Sequence, residues 1–270
     1  MPSPTEARNT KTTHIDQAST AEMLRMISEE NMNSVRAVDA ALVQIAPVVD
    51  AAADSLARGG RIVYIGCGTS GRIAVADAAE CPPTYGVDYN TVIAIIAGGE
   101  KTLVRAAEGE EDSAEKGRED LLARNVTAND IVIGISASGN AAYVASALKT
   151  AKEIGCVTAS VSSNPDCLIG RIADYPITAD TGAEVITGST RMKAGNAQKM
   201  ILNMISTCAM VKTGKVYENL MINLRPTNIK LRARMISIVS DICGTDAAAS
   251  EALLEANHFV IRDAVAAFGK

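Results

Sequence analysis

Residues 66–84 read GCGTSGRIAVADAAECPPT. A cramped glycine turn with two hydroxyls, Gly66 to Gly71, follows the apolar run Ile62-Val63-Tyr64-Ile65, and an alanine-rich stretch leads from it to Glu80 and two prolines. An apolar β-branched run, a glycine turn and a helix-compatible stretch make the first half of a β-α-β unit, whose parallel strands are buried on both faces. Four further runs repeat the strand signal: TVIAIIAGG (91–99), DIVIGISAS (130–138), CVTASVSS (156–163) and YPITAD (175–180). Helix-compatible segments such as KTLVRAAEGEEDSAEKGREDLLARN separate them, and right-handed crossovers follow. The predicted fold is α/β: a doubly wound parallel five-stranded sheet with helices on both faces.

Outward from this core, STAEMLRMISEEN and SVRAVDAALVQIAPVVDAAADSLARG read as two amphipathic helices, the first opened by Ser19 or Thr20 with Glu22 in its first turn. After Gly214 the pattern is purely helical. The expected organisation is a helical arm over 1–51, the sheet domain over 52–215 and a helical appendage over 216–270.

Composition narrows the functions. A net charge of -5 and 3% aromatic residues without Trp give neither the basic surface nor the stacking platforms of a nucleic-acid binder. Two histidines, His14 and His258, give no convincing raw material for a His-rich metal site or a serine triad, and metal chemistry is not expected. The six cysteines have no CxxC spacing and read as free thiols. The start MPSPTEARNTKTTH lacks the order of a signal peptide, and no apolar run approaches the ~18 residues of a membrane span. A cytoplasmic protein with no membrane partner is expected.

In an open parallel sheet, ligands bind at the carboxyl ends of the strands, where helix amides point at them. Hydroxyl-bearing turns recur there: Gly68-Thr69-Ser70-Gly71, Ser136-Ala137-Ser138-Gly139-Asn140, Ser162-Ser163-Asn164 and Gly188-Ser189-Thr190-Arg191. Any one of them reads most simply as a helix cap. Their recurrence predicts a pocket for a phosphorylated, hydroxyl-rich ligand. GCGTSG has G-x-G-x-x-G spacing, but no acid ends the next strand to hold a ribose, and no Lys-Ser or Lys-Thr pair follows as in a nucleotide P-loop. Arg72, Arg191 and Lys193 are cations beside the turns; Arg191 and Lys193, two apart, cannot share one helical face.

The stretches GCGTSGR, AECPPT, AGGE, AEGEED, SASG, EVITGSTRMKAGNAQK and LRPTN, with TEARN near the start, resemble in this order the N-acetylmuramic acid 6-phosphate etherase family of sugar isomerase (SIS) domain proteins. The resemblance covers essentially the whole chain. It implies a homodimeric, cofactor-free lyase of bacterial cell-wall recycling, which removes the D-lactyl ether from C3 of its sugar phosphate. The family usually continues SASG with Arg or Lys and then Thr-Pro-Tyr; here Asn140-Ala141-Ala142-Tyr143 follows, and Asn196 stands where threonine is usual.

Glu80 and Glu111 match the family's active-site positions. Glu80, with uncharged neighbours Ala78, Ala79, Cys81, Pro82 and Pro83, is expected as the proton donor; Glu111, among Glu108, Glu110 and Asp112, is expected as its partner acid/base. Taken alone, Glu80 reads as a surface acid and Glu111 as part of a solvated run. Glu184 is a reserve base. Asn228 and Lys230 stand as candidates to close the pocket, with Lys230 read more simply as an exposed charge. Two alternatives remain at this level: a non-catalytic sugar-phosphate sensor, like the related glucokinase regulatory protein, and a sugar phosphate isomerase.

Overall fold

The computed structural model describes residues 3–107, 109–226 and 228–269; Glu108 and Thr227 lie outside them. Short 3-10 turns between Pro4 and Gln17 lead into α1 (Thr20–Ala57). The chain continues through β1 (Ile62–Gly66), α2 (Gly68–Tyr85), β2 (Val92–Ile96), the short α3 (Lys101–Val104), α4 (Ala114–Leu122), β3 (Ile131–Ile135), α5 (Ala142–Ile154), β4 (Val157–Ser162), α6 (Leu168–Ile172), β5 (Tyr175–Thr178) and α7 (Lys193–Lys212). Three more helices end it: α8 (Ile229–Cys243), α9 (Ala247–Ala256) and α10 (Ile261–Ala267).

The strands pair in parallel in the order β2-β1-β3-β4-β5, the doubly wound sheet expected from the sequence. Each lies inside the run that announced it. Every residue of β1 and β3 is buried, which is why these strands carry apolar side chains on both faces. One face of the sheet packs with α1, α2 and α7 through Val38, Ile45, Val48, Ile201 and Ile205; the other packs with α4, α5 and α6 through Leu121, Val144, Leu148 and Ile169.

The two helices expected near the N-terminus are one. Ser19 opens α1 with a reciprocal capping box, its hydroxyl accepting from the Glu22 amide and its amide donating to the Glu22 carboxylate. The polar stretch Asn31-Met32-Asn33 does not interrupt the helix, because buried Ser34 beside it donates to the Lys193 carbonyl at 3.0 Å and fastens it to α7. Pro47 also lies within α1, although an interior proline costs about 3 kcal/mol. Burial of Ile45 and Val48 on either side, at roughly 1.5–3 kcal/mol each, offsets that loss. The 51/52 division therefore falls inside a continuous helix.

By length and an 18-residue window of mean hydropathy 1.4, α1 also meets the criterion for a membrane span, against the sequence expectation. Its apolar face from Ala37 to Ala52 lies instead in the sheet core. The segment between β2 and β3 is likewise not one helix. Gly109, at φ 79°, turns the chain after α3, and the Ser113 hydroxyl accepts from the Lys116 amide to start α4. The last three helices bury their own cluster of Leu224, Met235, Val239, Leu254 and Ile261, and Asn228 caps α8 by accepting from the Leu231 amide at 2.8 Å.

Candidate active site

The strand order reverses between β1 and β3, since β2 lies on the other side of β1, and such a switch point opens a crevice at the carboxyl ends. The turn after β1 and the turn after β3 flank it. At the first, Gly71 is required by close packing: a Cβ there would come within 2.6 Å of Ile96 and 2.8 Å of the Gly66 carbonyl. Gly68, at φ +51°, has nothing near the position of a Cβ, so its backbone faces open space. Cys67, the N-cap of α2, offers no side-chain bond. The amides of Gly68, Thr69 and Ser70 precede the first intrahelical bond, Gly71 to the Cys67 carbonyl, and are free to meet an anion.

The other helix starts differ. A Cβ on Gly195 would lie 3.5 Å from both the Thr69 methyl and the Thr190 carbonyl, so the start of α7 abuts the start of α2 and brings Thr190 to Thr69. Glu184 is fully buried and accepts from the Lys193 amide at 3.1 Å and the Ala194 amide at 2.9 Å. The reserve base is a helix cap. Lys193, expected beside the ligand, is 1% exposed, and its ammonium binds the Glu30 carboxylate at 2.5 Å and the Ala183 carbonyl at 2.6 Å. Arg191 is exposed at the rim beside Ser189 and Thr190, whose hydroxyls have no protein partner among the described residues.

In the turn after β3, the Ser136 and Ser138 hydroxyls lie 3.3 Å apart, and the Gly139 amide donates to Ser136 Oγ at 3.1 Å. Asn140, which departs from the family pattern, accepts from the Leu168 amide at 3.1 Å and so caps α6. Tyr143 does not face the crevice: it is fully buried and donates to Asp120 at 2.6 Å. Burial, with the bond and charge of Asp120, pushes its phenol far above its ordinary value.

Glu111, itself exposed, lines a cleft of about 450 Å³ together with Cys67, Gly68, Arg72, Thr102 and Glu110. Its turn packs against α5, which brings it to the crevice. Burial and then the charges of Glu111, Asp112 and Glu110 push the Cys67 thiol up to about 12, so these acids stand close to the start of α2. Glu80 is elsewhere. It stands twelve residues along α2 from Gly68, roughly 18 Å at the helical rise, and is exposed rather than enclosed by its uncharged neighbours. Within one chain the two acids do not face one bond. A larger depression of about 900 Å³ opens at the opposite end of the sheet, near Arg61, Asp88 and Lys215, away from every hydroxyl turn. Among the described residues no three His, Cys, Asp or Glu side chains form a metal-holding group.

Sequence reasoning took the N-terminal arm as a candidate partner contact and gave its first residues no place at the rim. The Thr5 amide donates to Asn164 Oδ1 at 3.1 Å, and Asn164 Nδ2 donates back to Thr5 Oγ1 at 2.9 Å and to the Ser138 carbonyl at 3.1 Å. Asn9 reaches Glu30 and the Ala183 carbonyl, Thr12 donates to the Val185 carbonyl, and Glu6 lies beside Gly188. The TEARN motif was the available signal: it straps the rim turns of β3, β4 and β5.

Residues 44–152 match the profile of the Glucokinase regulatory protein N-terminal SIS domain. An N-acetylmuramic acid 6-phosphate etherase from Halalkalibacterium halodurans is 48% identical over 97% of this chain and 88% of its own length. Another, from Exiguobacterium, is 50% identical over 90% and 82%. The chain belongs to the N-acetylmuramic acid 6-phosphate etherase family. The family's fold is shared with more distant solved structures: a phosphoheptose isomerase from Neisseria gonorrhoeae superimposes with a TM-score of 0.53 at 17% identity, over 71% of this chain and 98% of that one. A phosphoheptose isomerase from Francisella tularensis gives 0.52 at 15%, over 71% and 98%.

Proposed function

We propose that the protein is an N-acetylmuramic acid 6-phosphate etherase whose active site is assembled from two copies of the chain. The observation that carries this reading is the uncapped start of α2 beside Glu111, within a chain about half identical to etherases. The amides of Gly68, Thr69 and Ser70, with the hydroxyls of Thr69, Ser70, Ser136, Ser138, Ser189 and Thr190, hold the 6-phosphate and the sugar. Arg191 adds charge at the rim.

In the open-chain sugar the C2 proton is acidified by the neighbouring aldehyde. One carboxylate takes that proton, the C3–oxygen bond breaks, and the departing lactyl oxygen receives a proton from the other carboxyl group. Water then adds to the C2–C3 double bond, giving N-acetylglucosamine 6-phosphate and D-lactate. Glu111 is one of the two groups. Glu80 is the other, contributed by a second copy, because its place on α2 keeps it out of its own chain's cleft. A partner covering Glu80 supplies the burial that a proton donor near neutral pH needs and that the single chain does not provide. The homodimer has a ready surface in the outer face of α1, where Leu24, Met32, Val35 and Val43 are exposed. The six free cysteines fit a cytoplasmic setting.

Release of D-lactate from N-acetylmuramic acid 6-phosphate in heavy-oxygen water tests the reaction. The expected result is label at the sugar's C3 hydroxyl; label confined to lactate, or no lactate, overturns it.

A further inference from the structure

We propose that Arg72 is the specificity-determining residue of this site and binds the lactyl carboxylate of the substrate. The inference rests on the reading of the Glu111 cleft as the substrate site. The substrate carries two anions at opposite ends of the sugar, the phosphate on C6 and the lactyl carboxylate attached through C3. The free amides of α2 account for the first. The second requires a cation within the same cleft, and Arg72 is the one cation among the described residues that line it.

The placement of Arg72 suits that task. It lies four residues after Gly68, on the same face of α2 and roughly 6 Å along its axis. Its Nε donates to the Leu103 carbonyl at 3.1 Å, which fixes the plane of the guanidinium, while its two terminal nitrogens have no protein partner among the described residues. A planar fork held at one edge and open at the other is suited to a carboxylate gripped through two parallel bonds. The neighbouring acids do not compete equally: Glu110 is paired with Lys116 at 2.8 Å, whereas Glu111 has no ion-pair partner among the described residues. The ether oxygen is separated from the carboxylate by a single carbon. A carboxylate held by Arg72 therefore brings the breaking bond to the side of the cleft where Glu111 stands.

The test compares two ligands that differ in the lactyl group. In Arg72→Met, KM for N-acetylmuramic acid 6-phosphate should rise about 10- to 100-fold, the range for losing a charge-assisted pair, while the dissociation constant of N-acetylglucosamine 6-phosphate stays within about twofold. Arg72→Lys, which keeps the charge and loses the fork, should fall between. A parallel drop in affinity for both ligands, or no change in either, overturns the proposal. The wild-type enzyme supplies a second measurement that needs no variant. The methyl ester of the substrate's lactyl carboxylate should show a KM higher by about the same factor, and an unchanged KM overturns the assignment. Normal turnover by Glu111→Gln breaks the underlying site reading whatever Arg72 does, so the two failures are distinguishable.

Discussion

A single carboxylate exposes how far residue type alone carries an argument. Glu80 was legible as an acid with uncharged neighbours in sequence, but sequence neighbours are not spatial neighbours on a helix, and its side chain is exposed. Glu111 was legible only through resemblance, since an acidic run is ordinarily solvated; its place beside Cys67 and Gly68 comes from the turn at Gly109. Lys193 was misread because its partner Glu30 is 163 residues away in the chain. The account predicts that Glu80→Gln and Glu111→Gln each lower kcat by about 10²- to 10⁴-fold, the usual worth of acid/base groups. Affinity for N-acetylglucosamine 6-phosphate should remain, as read by calorimetry. A kcat within threefold of wild type for either variant would remove that residue from the reaction.

Among elements, strands were the most legible, since a strand buried on both faces must be apolar at successive positions and turn residues must bound it. Helix α1 was legible in kind and not in extent. Asn31-Met32-Asn33 looks like a break until tertiary contacts override it, and those contacts belong to α7. The seam between these helices holds the buried pair Glu30 and Lys193, with Asn9 and Lys11 also on the carboxylate. Burial pushes the Glu30 carboxyl up, and Lys193, Asn9 and Lys11 outweigh that to leave it below its ordinary value. Glu30→Ala abandons a buried ammonium and should cost about 3–5 kcal/mol in urea unfolding. A loss under 1 kcal/mol would mean that Lys193 finds water or another partner.

For the whole molecule, acid stability and assembly are the properties at stake. Asp130 joins the starts of β1 and β3, accepting from the Arg61 amide at 2.7 Å, the Arg61 guanidinium at 2.8 Å and the Thr127 amide at 2.8 Å. Burial pushes its carboxyl up, but Arg61 and the amides outweigh burial and hold it below the ordinary range. Its stabilisation is therefore present above the unfolded value of about 3.9 and is lost as pH falls through the lower folded value. Asp77 has the opposite sign. Burial raises it and outweighs the hydrogen bonds from Tyr64, Ser206 and Asn203, which lower it, so its contribution declines as pH rises through the shifted value. Thermal midpoints taken from pH 6 down to about pH 2 should fall less steeply for Asp130→Asn than for wild type; an equal acid slope would contradict this role.

The layers and the parallel sheet of the molecule were readable from the alternation of patterns, whereas the proposed division of the site between two chains would leave no mark in a single sequence. Glu80→Gln and Glu111→Gln proteins, each inactive alone, can be unfolded together and refolded as a mixture. If each site takes Glu80 from one chain and Glu111 from the other, half of the dimers are mixed and each mixed dimer carries one intact site, restoring about a quarter of wild-type D-lactate release. If the mixture stays as inactive as its parents, the two acids do not meet across two chains and the account is wrong.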